Sequence, residues 1–199
     1  MAVERARVKG VQNRQRIVEA ADRLFYEQGY NATSFTDIAE AADIPRGNFY
    51  YYFKTKDEIL EHVIQARVDG IAGMLDDLES RIPEPRQRLL ALTDIIAGRG
   101  EDIARYGCRF GTLNAELGKT QLTMQQKAAG LFDVFRDWIT RQFIELGLGD
   151  EAPMLGMHML ACIQGTTLLV YTYKDKTFLQ YEIDRMQEWL RGLNPGERV

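Results

Sequence analysis

Apolar positions recur every three or four residues along almost the whole chain, and the strict alternation that marks strands does not occur. The first such segment, 11–28, puts Ile17, Ala20, Ala21, Leu24 and Phe25 on one stripe and stops at Gly29, which suits the left-handed turn after a helix. Ser34 with Asp37 three residues on forms a capping box, with Asp in place of the usual Glu or Gln. It opens a second helix carrying Phe35, Ile38, Ala39 and Ala42 on one face. Asp43 and Ile44 turn the chain, and Pro45 fits the first turn of a third helix because its missing N–H costs nothing there. Phe49 and Phe53, four apart, mark that helix's buried side, leaving Arg46, Asn48, Tyr50 and Tyr51 outward. Three helices around one small core, the last two joined by a tight turn, make a helix-turn-helix.

Beyond it the pattern stays helical. Thr55 with Glu58 caps a long helix to about Arg81, where Pro83 and Pro85 break it. Further helices are predicted at 86–104, 109–117, 122–146, 151–173 and 178–191, with Gly192 and Pro195 after the last. The expected class is all-α, with a three-helix unit over 1–55 joined by the long helix to a larger helical domain over 56–199.

Residues Ala20, Ala21, Leu24, Phe25, Gly29, Tyr30, Thr33, Ser34, Asp37, Ile38, Ala39, Ala42, Gly47, Tyr50, Tyr51, Phe53, Lys54, Lys56 and Leu60 stand in the order and spacing of the tetracycline-repressor (TetR) family of bacterial regulators, which the chain therefore resembles. The resemblance is specific over the first third. It implies a double-stranded DNA operator, a homodimer, and a small-molecule effector of unstated identity bound in the second domain.

DNA roles divide by side-chain chemistry. Arg46, at the start of the recognition helix, can donate bidentately to guanine, and Gly47 leaves room for the groove. Tyr50 suits a thymine methyl, while Asn48, Tyr51, Lys54, Lys56 and Thr33 suit phosphates. Charge fits a local reader rather than a general polyanion binder. The net charge is −4, whereas residues 1–56 hold nine Lys or Arg against seven Asp or Glu. Arg5, Arg7, Lys9 and Arg14 add to the basic side, and 1–10, charged and poor in large apolar residues, reads as a mobile arm.

Two cysteines without a Cys-x-x-Cys pair make no disulfide framework, so a reducing cytoplasm is expected. The longest apolar run, 166–173, is too short for a membrane span, and the charged N-terminus lacks a signal core. No metal site, cofactor motif or catalytic constellation is recognisable, so an enzyme is not expected. The alternative to an operator-binding regulator is a helical interaction or architectural module without operator specificity.

In the second domain Met74, Phe110, Phe132, Phe135, Trp138, Met157 and His158 are candidates for an apolar effector pocket, although residues of this kind at helical spacing mostly serve packing. The segment Tyr106-Gly107-Cys108-Arg109-Phe110-Gly111-Thr112-Leu113-Asn114-Ala115-Glu116-Leu117 resembles a Gly-Cys…Leu-x-x-Glu stretch of one branch of the same family, in some members of which the cysteine senses electrophiles or oxidants. A thiol at a helix start beside Arg105 and Arg109 suits that role, and a small buried packing residue is the plainer reading of Cys108. Cys162, on an apolar helix, reads as inert. Ala161 and Gly165, with the stripe Leu179, Ile183, Met186 and Leu190, are candidates for a dimer surface built from the last two helices.

Overall fold

The computed structural model describes residues 2–194, the side chains of 2–7 and of residue 46 excepted. Every regular element among them is helical: α1 (Ala2–Glu27), α2 (Phe35–Ala41), α3 (Arg46–Tyr52), α4 (Lys56–Arg81), α5 (Pro85–Ala97), α6 (Gly100–Tyr106), α7 (Gly111–Thr120), α8 (Leu122–Glu145), α9 (Ala152–Tyr173) and α10 (Lys176–Gly192). A single 3-10 turn, Gly149–Glu151, precedes α9.

Helix α1 begins at Ala2, so the expected N-terminal arm is helical instead. Its Ala, Glu, Arg and Lys residues are strong helix formers, and no proline interrupts them. The predicted helix over 86–104 is two. The Gly98 amide donates to Asp94 O at 2.9 Å and the Arg99 amide to Ile96 O at 3.0 Å, a three-residue bond that tightens the chain before Gly100 restarts it as α6. Pro195 lies outside the described residues.

The chain forms two compact units, residues 1–68 with 112–129, and residues 69–111 with 130–199. Helices α4, α7 and α8 are each continuous across a boundary between them.

In the first unit Ile17, Ala21, Phe25, Tyr30, Ile38, Phe49, Phe53, Ile59 and Leu60 are buried. Each large apolar side chain here contributes about 1.5–3 kcal/mol by leaving water. Phe25 meets Tyr30, and Phe35 meets Phe49, in edge-to-face pairs with centroids 5.1 Å apart. Arg67 of α4 is buried and donates from Nε to Asp22 Oδ1 of α1 at 2.6 Å, a charge pair that holds these two helices in register. Arg14 of α1 donates to Tyr52 O at 2.9 Å, to Glu58 at 3.4 Å and to His62 Nε2 at 2.7 Å, and its guanidinium lies 4.3 Å from the centre of the Phe53 ring. It braces α1 against the start of α4.

In the second unit α10 packs on α5 and α6, and α9 on α6. Ile103, Ala104, Val170, Leu179 and Ile183 form one cluster, which Ile96, Ala97 and Phe178 border. A Cβ at Gly156 would fall 2.5 Å from Thr140 Oγ1, so the close approach of α9 to α8 requires glycine there. The stretch Gly149–Tyr173 is long and apolar enough, by length and composition, to cross a membrane, a property that core helices share. His158 and Gln164 interrupt the stretch, so its unbroken apolar runs are shorter than the helix.

Candidate nucleic-acid interface

The reading helix is short and built from local signals. Ser34 Oγ accepts from Asp37 N at 3.1 Å and Asp37 Oδ2 accepts from Ser34 N at 2.7 Å, the reciprocal cap that starts α2. The Ser34 N–H holds the Asp37 carboxyl below the usual carboxylate range. After α2, Asp43 takes the left-handed conformation at φ 53, Ile44 N returns to Ala39 O at 3.0 Å, and Pro45 precedes the first turn of α3. Ile44, Phe49 and Phe53 are buried, which fixes α3 on the core.

The opposite face of α3 is open. Gly47 and Asn48 are exposed, Tyr50 is 58% exposed, and Tyr51 is 80% exposed. No atom lies within 4 Å of where a Gly47 Cβ would stand. Tyr50 stacks on Phe35 at 5.6 Å between centroids, so one ring face is fixed by protein. Tyr52 belongs to the scaffold, its hydroxyl accepting from Asn13 Nδ2 at 2.8 Å. Lys54 is exposed and its ammonium donates to Tyr50 O, closing the C-terminal end of α3. The Arg46 side chain, like those of Arg5 and Arg7, lies outside the described residues.

Two predicted phosphate contacts are placed otherwise. Thr33 is 1% exposed and its hydroxyl donates to Gly29 O at 2.7 Å. Lys56 donates to Tyr30 O at 2.8 Å and Thr33 O at 2.9 Å, with its Nζ 4.2 Å from the centre of the Tyr30 ring. Burial draws the Lys56 ammonium below the ordinary lysine range. Both residues build the α1–α2 turn instead of facing outward.

Among the effector candidates, Phe110 and Phe135 pair at 5.6 Å, and Trp138 is buried. Met74 and Phe132 are half-buried. Met157 and His158 are exposed on α9 and line no interior. On the 3.6-residue helical period Leu155 and Met159 share the buried side, and Met157 falls opposite them. His158 meets the Trp189 ring at 5.3 Å, and its Nε2 is 3.6 Å from Cys162 Sγ. Burial and Glu182 push the Cys162 thiol up. Cys108 is half-buried, and its Sγ accepts from Gly111 N at 3.4 Å, at the N-terminal end of α7.

The dimer candidates separate. Ala161 and Gly165 are exposed on α9 beside Met154, Met157, Leu168, Leu169 and Tyr173, an apolar face. Leu179, Ile183, Met186 and Leu190 are buried in their own chain, on the side of α10 that packs on α5 and α6. The amphipathic stripe of α10 is spent inside the subunit, which corrects its assignment to a partner.

Residues 17–63 match the family of bacterial regulatory proteins of the tetR type, and residues 85–183 match the C-terminal domain of LmrA/YxaF-like transcriptional regulators. The chain belongs to the TetR family. It is 30% identical over 181 residues to an uncharacterized HTH-type transcriptional regulator, YxaF of Bacillus subtilis (strain 168), covering 83% of this chain and 88% of that one. It is 27% identical over 130 residues to the HTH-type transcriptional repressor DhaR of Mycobacterium sp. (strain GP1), covering 63% and 61%. The crystal structure of a TetR transcriptional regulator from Legionella pneumophila superposes with a TM-score of 0.77 at 25% identity, over 87% of this chain and 95% of that one. DNA-binding transcriptional regulation is therefore the activity, and the all-helical TetR architecture is the fold. TetR-family regulators bind operators, dimerise and bind small-molecule effectors.

Sequence reasoning missed one residue that supports the reading head from behind, away from its outward face. Glu116 of α7 accepts from Tyr30 N at 2.9 Å and from Asn31 N at 2.7 Å, within the α1–α2 turn. Its only advance signal was its place in the Leu-x-x-Glu stretch, a carboxylate between the buried Leu113 and Leu117.

Proposed function

We propose that the chain is a cytoplasmic repressor that holds a palindromic operator as a homodimer and lets go when a small molecule binds its second domain; it has no catalytic step. The observation that carries the reading is the outward face of α3. Gly47, Asn48, Tyr50 and Tyr51 are exposed while Phe49 and Phe53 anchor the helix from behind. Arg46 at the helix start reads a guanine, Tyr50 a thymine methyl, and Asn48, Tyr51 and Lys54 the backbone. Thr33 and Lys56 shape the head without touching DNA. The reading role belongs to 1–55, and the effector and dimer roles to 56–199. The name of the DhaR relative, a repressor, agrees with the sign of regulation.

The exposed apolar face of α9 around Ala161 and Gly165 is the dimer surface, since two small residues four apart let a second helix come close. Two heads related by a two-fold axis then meet two half-sites. DNA selected from a random pool by the full-length protein, then tested for nuclease protection, checks the reading. A two-fold symmetric enriched site supports it, and recovery of unenriched DNA refutes it.

For the effector, a second observation favours Cys108. The Gly111 N–H points at its sulfur at 3.4 Å, which places the half-buried thiol at the first turn of α7. Alkylation would add bulk at the start of α7 and favour the DNA-free state. Release of the operator by an alkylating electrophile from the native chain and from Cys162→Ser, but not from Cys108→Ser, is expected. Equal release from Cys108→Ser removes the thiol from the mechanism and leaves a reversibly bound apolar ligand.

A further inference from the structure

The α1–α2 turn is held from two sides within the first unit. On one side Lys56 of α4 takes the carbonyls of Tyr30 and Thr33, and the Tyr30 hydroxyl donates to Asp57. On the other, both oxygens of Glu116 close on the consecutive amides of Tyr30 and Asn31. Gln121, at the end of α7, adds a donor to the Tyr30 hydroxyl at 3.4 Å. Helix α7 is in turn tied to α8 by Asn114 Nδ2 donating to Ala128 O at 3.1 Å, and α8 to α4 by the Lys127–Glu61 ion pair.

A carboxylate on two adjacent amides is a directional clamp. Its two bonds are charge-assisted, and a one-ångström slide of the oxygens breaks both. The clamped turn sets where α2 begins, because Thr33, whose hydroxyl bonds back to Gly29 O, immediately precedes the Ser34 cap. Helix α7 itself begins at Gly111, beside Cys108, and this first residue belongs to the second unit while Glu116 belongs to the first.

From this geometry we infer that Glu116 is a positioning residue: through the amides of Tyr30 and Asn31 it fixes the pose of the α2–α3 reading pair on its scaffold within the first unit, and with that pose the half-site spacing the reading pair accepts. Glu116 touches no DNA, and it acts only through the α1–α2 turn. Lys56 and Asp57 hold the same turn from α4. The turn therefore survives loss of Glu116 but is free to pivot about its α4 side. The inference rests on the operator-binding dimer reading above.

The test uses the full-length protein and a palindromic DNA selected by the native chain, in its native spacing and with one base pair added between the half-sites. Glu116→Ala is expected to lose about tenfold in affinity for the native spacing, a typical coupling between sites, and to discriminate about tenfold less against the lengthened site. Glu116→Gln preserves volume and one acceptor but places an amide N–H toward a donor, so it should fall between the two and guards against a folding failure of the alanine variant. Random-DNA binding should be unchanged in both. If both variants fold and keep the native ratio between the two spacings, the inference is wrong. If the native chain selects no palindrome, the operator reading fails first, which is a separate outcome.

Discussion

Replacing Gly29 by alanine tests the clamped turn from the other side. Gly29 sits at φ +92, where a side chain is strained, and a Cβ there would lie 3.1 Å from Glu116 Oε2 and 3.3 Å from Oε1. The backbone strain costs about 1–2 kcal/mol. Shifting the carboxylate by a few tenths of an ångström weakens, without abolishing, its two charge-assisted bonds to the Tyr30 and Asn31 amides, each worth about 1.5–3 kcal/mol when intact. Gly29→Ala should therefore destabilise the first unit by about 2–5 kcal/mol in the native background. With Glu116→Ala already present only the strain is left, about 1–2 kcal/mol, so the double-mutant cycle should show coupling of at least about 1 kcal/mol. Both tryptophans, Trp138 and Trp189, belong to the second unit. Urea unfolding can thus be followed by far-UV circular dichroism for all helices and by tryptophan fluorescence for the second unit alone. An early transition seen only by dichroism should shift. Equal costs of Gly29→Ala in the two backgrounds would refute the reasoning.

Leu190→Ala should destabilise by about 2–5 kcal/mol, because Leu190 is fully buried against its own subunit, while the dimer fraction in sedimentation stays unchanged. Gly165→Leu should do the reverse, since open space surrounds Gly165 within the chain; an unaltered dimer would move the interface elsewhere. Tyr51→Ala, at an exposed site, should leave stability within about 0.5 kcal/mol and weaken operator and random DNA alike in filter binding. The Asp37 carboxyl, lowered by the Ser34 N–H, gives a capping contribution that is complete above the unfolded carboxylate pKa and is lost as pH falls through the lowered one; an Asp37 titration at or above the ordinary value, followed by the Ser34 amide resonance, would contradict it.

The helix-turn-helix was legible because its signals are local: a cap at Ser34, a turn at Asp43, and two phenylalanines four apart. What escaped reading was set by partners distant in sequence. Lys56 looks like any basic residue after a recognition helix, and only the folded turn shows its ammonium between two carbonyls. Periodicity marked the α10 stripe as apolar, yet cannot tell a partner's surface from α5 of the same chain. The α5–α6 break was hidden because Gly98 and Gly100 fit the helical period and lack only side chains to hold it. Glu116 lies 86 positions from Tyr30, a separation no local pattern spans.

The most direct test of the whole account is the stoichiometry and symmetry of the complex with DNA. Full-length protein titrated onto DNA selected from a random pool, measured by sedimentation with hydroxyl-radical protection on the same sample, should give two chains on one two-fold symmetric site, with two protected patches about one helical turn apart. Binding that coats random and selected DNA equally, or one chain on an asymmetric site, would contradict it.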